Sequence, residues 1–151
     1  MNIVIRKADA ADCPQMLELV KELAVYERAP DEVTVSMEEF VEAGFGPSPV
    51  WEAFVAELDS RIVGISLFYI RYSTWKGRRL YLEDIIVTEN LRGQGVGKRL
   101  FDETMKLCRE RKYSGMVWQV LEWNEAAINF YRKYGVTFDN EWVNVSLDFR
   151  F

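Results

Sequence analysis

Two adjacent acids, Glu83 and Asp84, sit inside the apolar run Leu80–Val87, and the alternating glycines Gly93, Gly95 and Gly97 follow shortly after, ahead of Lys98 and Arg99. Carboxylates in an apolar strand can take up protons or hold a cation, because burial raises their affinity for either. A glycine-rich turn that opens a helix presents backbone N–H groups and the positive helix end to a phosphate. The chain contains no histidine. Ser-His-Asp and Cys-His nucleophilic machinery and His-based metal sites are therefore excluded. Acid–base work falls to Glu, Asp, Tyr, Lys or Cys.

The loop fails two common phosphate-binding patterns. A P-loop needs G-x-x-x-x-G-K-[ST]; Gly97 and Lys98 supply the G-K, but Arg92 stands at the first glycine and Arg99 at the magnesium-binding hydroxyl. The dinucleotide pattern G-x-G-x-x-G fails at Lys98 counted from Gly93 and at Leu100 counted from Gly95. What remains is R-x-x-G-x-G, formed by Arg92, Gly95 and Gly97. It is either a nest for a pyrophosphate, needing neither a metal nor a ribose-reading acid, or a connector that only turns the chain at a cost in backbone entropy.

The elements that must position these residues follow from periodicity. The order expected is a strand at Ile3–Ala8, a helix from Asp9 to about Glu27, and a short helix opened by a capping box at Ser36–Glu39. Trp51–Leu58 and Arg61–Tyr72 form a hairpin through Asp59 and Ser60, and Arg79–Val87 adds a third antiparallel strand. A helix runs from about Gly95 to Lys112, then a buried strand at Gly115–Leu121, a helix at Asn124–Tyr134, and a closing strand at Glu141–Phe149. The 151 residues suit one mixed α/β (α+β) domain over 1–151, with 49% apolar and 28% charged residues marking a globular chain rather than a disordered one. No apolar stretch approaches the roughly 20 residues of a membrane helix, and no signal peptide is evident. The net charge of -5 disfavours sequence-independent nucleic-acid binding and allows a cationic substrate. Cys13 and Cys108 show no metal or redox spacing and read as small core residues of a protein in a reducing cytoplasm.

The motif R-x-x-G-x-G after an apolar strand, with N-x-x-A-x-x-F-Y-x-x-x-G at Asn124–Gly135, resembles the GCN5-related N-acetyltransferase (GNAT) superfamily. The blocks "IRKADAADC", "ELAVYE", "YSTWKGRRLYLEDIIV", "RGQGVG" and "EWNEAAINFY" are similar to the spermidine/spermine (diamine) N-acetyltransferase family, including its thialysine-acetylating branch. The resemblance covers nearly the whole chain. It implies a mixed, splayed β-sheet flanked by helices, acetyl-CoA as acetyl donor, no metal, a small-molecule amine acceptor and a homodimer. It places Glu83 at the proposed base position and Tyr131 at the tyrosine that protonates the coenzyme thiolate. Coenzyme contacts fall on Ile85, Ile86 and Val87, on the loop Arg92, Gly93, Gln94, Gly95, Val96, Gly97 and Lys98, and on Asn124, Glu125, Ala126 and Ala127. Amine contacts fall on Tyr26, Glu27, Glu83, Asp84, Glu141 and Trp142.

Each of these has a plainer structural reading. Glu83 and Asp84 could pair with Lys76, Arg78 or Arg79; Tyr131 could be a core residue of an amphipathic helix; Trp142 could be core or site. Arg28, next to Glu27, departs from the polyamine enzymes, and a cation there would repel a long polyamine and tolerate a carboxylate. A short diamine or a lysine-like amino acid is therefore expected at least as readily as spermine. A non-catalytic acyl-CoA or polyamine sensor, and an enzyme acting on a protein amine, stand as alternatives.

Overall fold

The computed structural model describes residues 1–151, which divide into two units, Met1–Gln119 and Val120–Phe151. The first is built on an open five-stranded sheet in the order β1 (Ile3–Lys7), β2 (Glu52–Leu58), β3 (Arg61–Ser73), β4 (Gly77–Val87) and β5 (Met116–Val117). Neighbours are antiparallel as far as β4, and β5 joins β4 in parallel. Helices α1 (Cys13–Tyr26) and α2 (Met37–Phe45) precede β2, and α3 (Val96–Glu110) connects β4 to β5.

Both sheet faces are covered, so the central strands carry apolar residues on both sides. On one face Met16, Leu17 and Leu19 of α1 and Phe40 of α2 pack with Trp51, Val55, Ile65, Leu67 and Ile86. On the other, α3 approaches closely enough that a Cβ on Gly64 would lie 3.0 Å from Leu100 Cδ1 and from the Ile86 carbonyl. Ser66 and Thr104 share a buried 2.6 Å hydrogen bond there, which satisfies both hydroxyls. Cys13 and Cys108 are both buried and free.

Start and stop signals were mostly legible. Asp9 opens the first helical segment, but as the cap of a 3-10 turn, Ala10–Asp12, that feeds α1. Ser36 accepts a hydrogen bond from the Glu39 N–H, as a capping residue should. Two expected strands differ. The run Gly115–Leu121 pairs only at Met116 and Val117, opposite Leu80 and Tyr81, and both are half-buried. The closing strand at Glu141–Phe149 is absent as regular structure: its apolar residues Trp142, Val143, Val145, Leu147 and Phe149 are 72–90% exposed. A period-2 pattern supplies a face, whereas a strand also needs a neighbour to accept its ladder bonds. In the second unit, α4 (Glu125–Arg132) is capped by the Asn124 side chain, which accepts from the Ala127 N–H at 3.3 Å.

Candidate active site

Adjacent residues of a regular strand point to opposite faces. Glu83 and Asp84 nevertheless line the same cavity. The cause is a β-bulge in β4. Leu67 pairs with Asp84 and Phe68 with Leu82, which leaves Glu83 as the extra residue. Tyr81, Glu83, Asp84 and Ile86 thereby share the face covered by α1. The odd appearance of two acids in an apolar run is the signature of that bulge.

The cavity has a volume of about 370 Å³ and lies between β4, the C-terminal half of α1 and the segment after it. Val20, Leu23, Ala24, Val33 and Val35 give it apolar walls, and Glu27, Glu32, Glu83 and Asp84 give it four carboxylates; no Lys or Arg lines it. Burial pushes the Asp84 carboxyl up to about 7, and the charges of Glu83 and then Glu27 push the same way. Burial also raises Glu27 above the ordinary carboxylate range. Glu83 is exposed, and its Oε1 accepts a 2.8 Å hydrogen bond from the Tyr69 hydroxyl. The Tyr69 phenol is held well above its usual range by burial first and by that bond second. Tyr69 in turn stacks on Tyr81, with ring centroids 5.3 Å apart. No acid, Cys and His side chains group to hold a metal ion.

The pairing of Glu83 and Asp84 with nearby bases does not form. Arg79 hydrogen-bonds Ser114 at 3.2 Å, and none of Lys76, Arg78 or Arg79 makes a salt bridge to either acid. Arg28 takes a left-handed backbone with φ 63° and does not line the cavity, so its charge is not part of the wall. Of the six residues expected at the amine, Glu27, Glu83 and Asp84 come together. Tyr26 lies outside the cavity wall, its ring 4.9 Å beneath the Arg92 guanidinium. Glu141 and Trp142 belong to the second unit, and Trp142 at 75% exposure is not a core residue. Glu32 and Tyr69 were missed. Glu32 sits in the "APDE" turn, which looks like connection only, and Tyr69 reaches Glu83 diagonally across the ladder from its place opposite Tyr81, a pairing that needs the register of two strands.

The glycine loop joins β4 to α3. Gly93 and Gly95 have φ 78° and 86°, a left-handed conformation that side chains rarely adopt, whereas Gly97 has an ordinary backbone and a Cβ there would meet only Val87 Cγ2 at 3.6 Å. Gly95 is the N-cap residue of α3 and brings no side-chain cap, so the N–H groups of the first turn remain available to an anion. The side chains of the loop are engaged elsewhere. Arg92 Nε donates to the Val87 carbonyl at 3.0 Å and its guanidinium lies 3.7 Å from Glu22; Lys98 pairs with Asp102 at 2.6 Å. The ladder between β4 and β5 stops at Tyr81; the Thr88 N–H donates to the Val63 carbonyl of β3, so by alternation the N–H groups of Ile85 and Val87 face the open edge and that of Ile86 faces β3. These backbone donors fit a pyrophosphate and a thioester carbonyl. In the second unit Tyr131 is buried at 6% exposure.

Residues 13–136 match the family model described as Acetyltransferase (GNAT) family. A thialysine N-epsilon-acetyltransferase of Bos taurus is 38% identical over 88% of this chain and 83% of its own. A spermidine/spermine N(1)-acetyltransferase-like protein 1 of Homo sapiens is 33% identical over 87% of this chain, which spans 20% of that longer protein. Among solved structures, an aminoglycoside acetyltransferase from an uncultured soil metagenomic sample superimposes with a TM-score of 0.79 at 21% identity, over 98% of this chain and 97% of its own, a likeness of fold. The chain is an acetyl-transferring enzyme acting on amines. The chain belongs to the GNAT acetyltransferase family.

Proposed function

We propose that this protein is an acetyl-CoA-dependent N-acetyltransferase acting on a primary amine of a small diamine, a polyamine or a lysine-like amino acid such as thialysine. The cavity carries this reading: four carboxylates and no cation line a pocket with apolar walls. Such a wall attracts ammonium groups while the apolar residues take the carbon chain between them. The C-terminal turn of α1, which supplies Leu23, Ala24 and Glu27, adds the negative end of the helix dipole. The names of the relatives fit the same chemistry.

Acetyl-CoA supplies an activated acetyl group as a thioester. The backbone of residues 92–98 would hold its pyrophosphate, the backbone of Ile85, Ile86 and Val87 would face its acyl end through the edge-facing N–H groups of Ile85 and Val87, and Asn124–Ala127 enter as coenzyme residues on the family motif alone. An alkylammonium has a pKa near ~10.4 and must lose a proton before its nitrogen can attack. The Glu83–Asp84 pair stands ready to take it, Glu83 on the motif's base position. Tyr131 holds a phenol proton for the leaving thiolate, a transfer uphill by roughly 1.5 pKa units. Tyr26, Glu141 and Trp142 enter as substrate residues on the family pattern alone.

We take residues 1–151 as one acetyltransferase domain, cytoplasmic and homodimeric, for which the exposed apolar residues Val143, Val145, Leu147 and Phe149 offer a face to a second copy. The test is thiol release from acetyl-CoA with putrescine, spermidine, spermine, lysine, thialysine or no amine. Turnover with any of these amines above the amine-free rate supports the reading. Coenzyme binding without turnover on the panel overturns it.

A further inference from the structure

We propose that Asp84, not Glu83, accepts the proton of the incoming ammonium, and that Glu83 is a positioning carboxylate held by Tyr69. This rests on the reading that the cavity takes an amine. The bulge turns both acids to one face but gives them different surroundings. Glu83 is the exposed one, and one of its oxygens already accepts the Tyr69 hydroxyl at 2.8 Å. That bond occupies one Glu83 oxygen and fixes the direction of its carboxylate. Asp84 is recessed, opposite Leu67 in the ladder, and has neither a salt bridge nor a side-chain hydrogen bond.

The groups around Asp84 act in one direction. Glu83 flanks it on β4, Glu27 comes from the end of α1, and Glu32 from the turn that follows. On the β3 side Tyr69 reaches the pair through its hydroxyl, while Arg71 lies over the Tyr81 ring. No Lys or Arg lines the cavity to hold Asp84 charged. Its carboxyl, lifted to about 7 by burial and by Glu83 and Glu27, is ionised for much of the population at neutral pH and is a far better base than an ordinary aspartate. In the step itself one N–H bond of the ammonium breaks. The proton passes to an Asp84 carboxylate oxygen, and the electron pair stays on nitrogen, ready for the acyl carbon.

The pH profile of kcat/KM separates the two acids. In the wild type it rises with pH through about 7, as free Asp84 loses its proton. With Asp84→Asn the reaction must draw on amine that is already neutral, so kcat/KM at pH 7 falls roughly 10²–10⁴-fold and the rise moves toward the amine's own ~10.4. With Glu83→Gln or Glu27→Gln a neighbouring negative charge disappears; the rising limb survives and shifts to lower pH, by about half a unit or more. The reverse pattern, in which Glu83→Gln abolishes the limb and Asp84→Asn merely moves it, overturns the proposal. So does an unchanged limb in Asp84→Asn. Coenzyme binding by calorimetry confirms that each variant is folded, and the Glu27→Gln shift tests the assignment without touching Asp84. No turnover by the wild type on any amine would instead sink the reading of function on which this rests.

Discussion

At the scale of single residues, Asp84 shows how a buried acid opposes folding. Its proton affinity is higher in the folded chain than in the unfolded one, where an aspartate titrates near ~3.9. Between about pH 4 and 7 the native state therefore binds more protons than the unfolded state, and stability falls as pH rises through that window. Asp12 has the opposite sign. Its hydrogen bonds with Arg6 at 2.8 and 2.9 Å lower it, so its contribution is present above the unfolded pKa and is lost as acid protonates it. Asp84→Asn removes the first effect alone. The variant should be more stable than the wild type by roughly 2–4 kcal/mol at pH 8 and show little gain near pH 4, measured by urea unfolding at both pH values. A gain of equal size at both would mean that Asp84 is not destabilised as a charge.

At the scale of elements, the glycine loop divides into two jobs that its spacing does not distinguish. Gly93 and Gly95 are required by their own backbones, and Gly97 is not. Gly95→Ala should cost about 1 kcal/mol or more of stability and weaken acetyl-CoA binding, since a Cβ at φ 86° is strained whatever surrounds it. Gly97→Ala should leave stability unchanged or slightly raised, because alanine favours a helix by about 0.8–1.0 kcal/mol over glycine. A loss of coenzyme affinity in Gly97→Ala without loss of stability, read by calorimetry and thermal melting, would assign the space before Gly97 to the coenzyme. Unchanged affinity would leave that space to solvent. The loop's place between strand and helix was legible because glycines, a strand and a helix start are all local signals. The bulge at Glu83 was not, since an extra residue shows only when the partner strand is counted against it.

At the scale of the whole molecule, the element order from Ile3 to Cys108 was readable because each element buries a periodic apolar face or carries a cap. The run at 141–149 was not, because alternation marks a residue set that can face a core and does not supply the strand to pair with. Charge is the other molecular property with a consequence. A chain of net -5 with an acid-lined cavity draws a cationic acceptor over distances of about a Debye length. Raising the ionic strength from 0.01 to 0.3 M should lower kcat/KM for a diamine several-fold through KM, leave kcat nearly unchanged, and affect a singly charged amine less. Equal salt sensitivity for the two amines would remove the long-range attraction and leave only contacts inside the cavity.

Glu83 is a single additional residue in a ladder that stays in step on both sides of it, from Leu80 opposite Ile70 to Val87 opposite Gly64. New chemistry usually enters proteins through loops, where added length disturbs nothing. Here one codon's worth of chain inside a central strand adds a second carboxylate to the cavity wall, and the helices on both faces keep their footing. Charge at this position is thus adjustable by length as well as by substitution. A chain lacking the residue would still present Asp84 to the same cavity, opposite Leu67, with one acid in place of two.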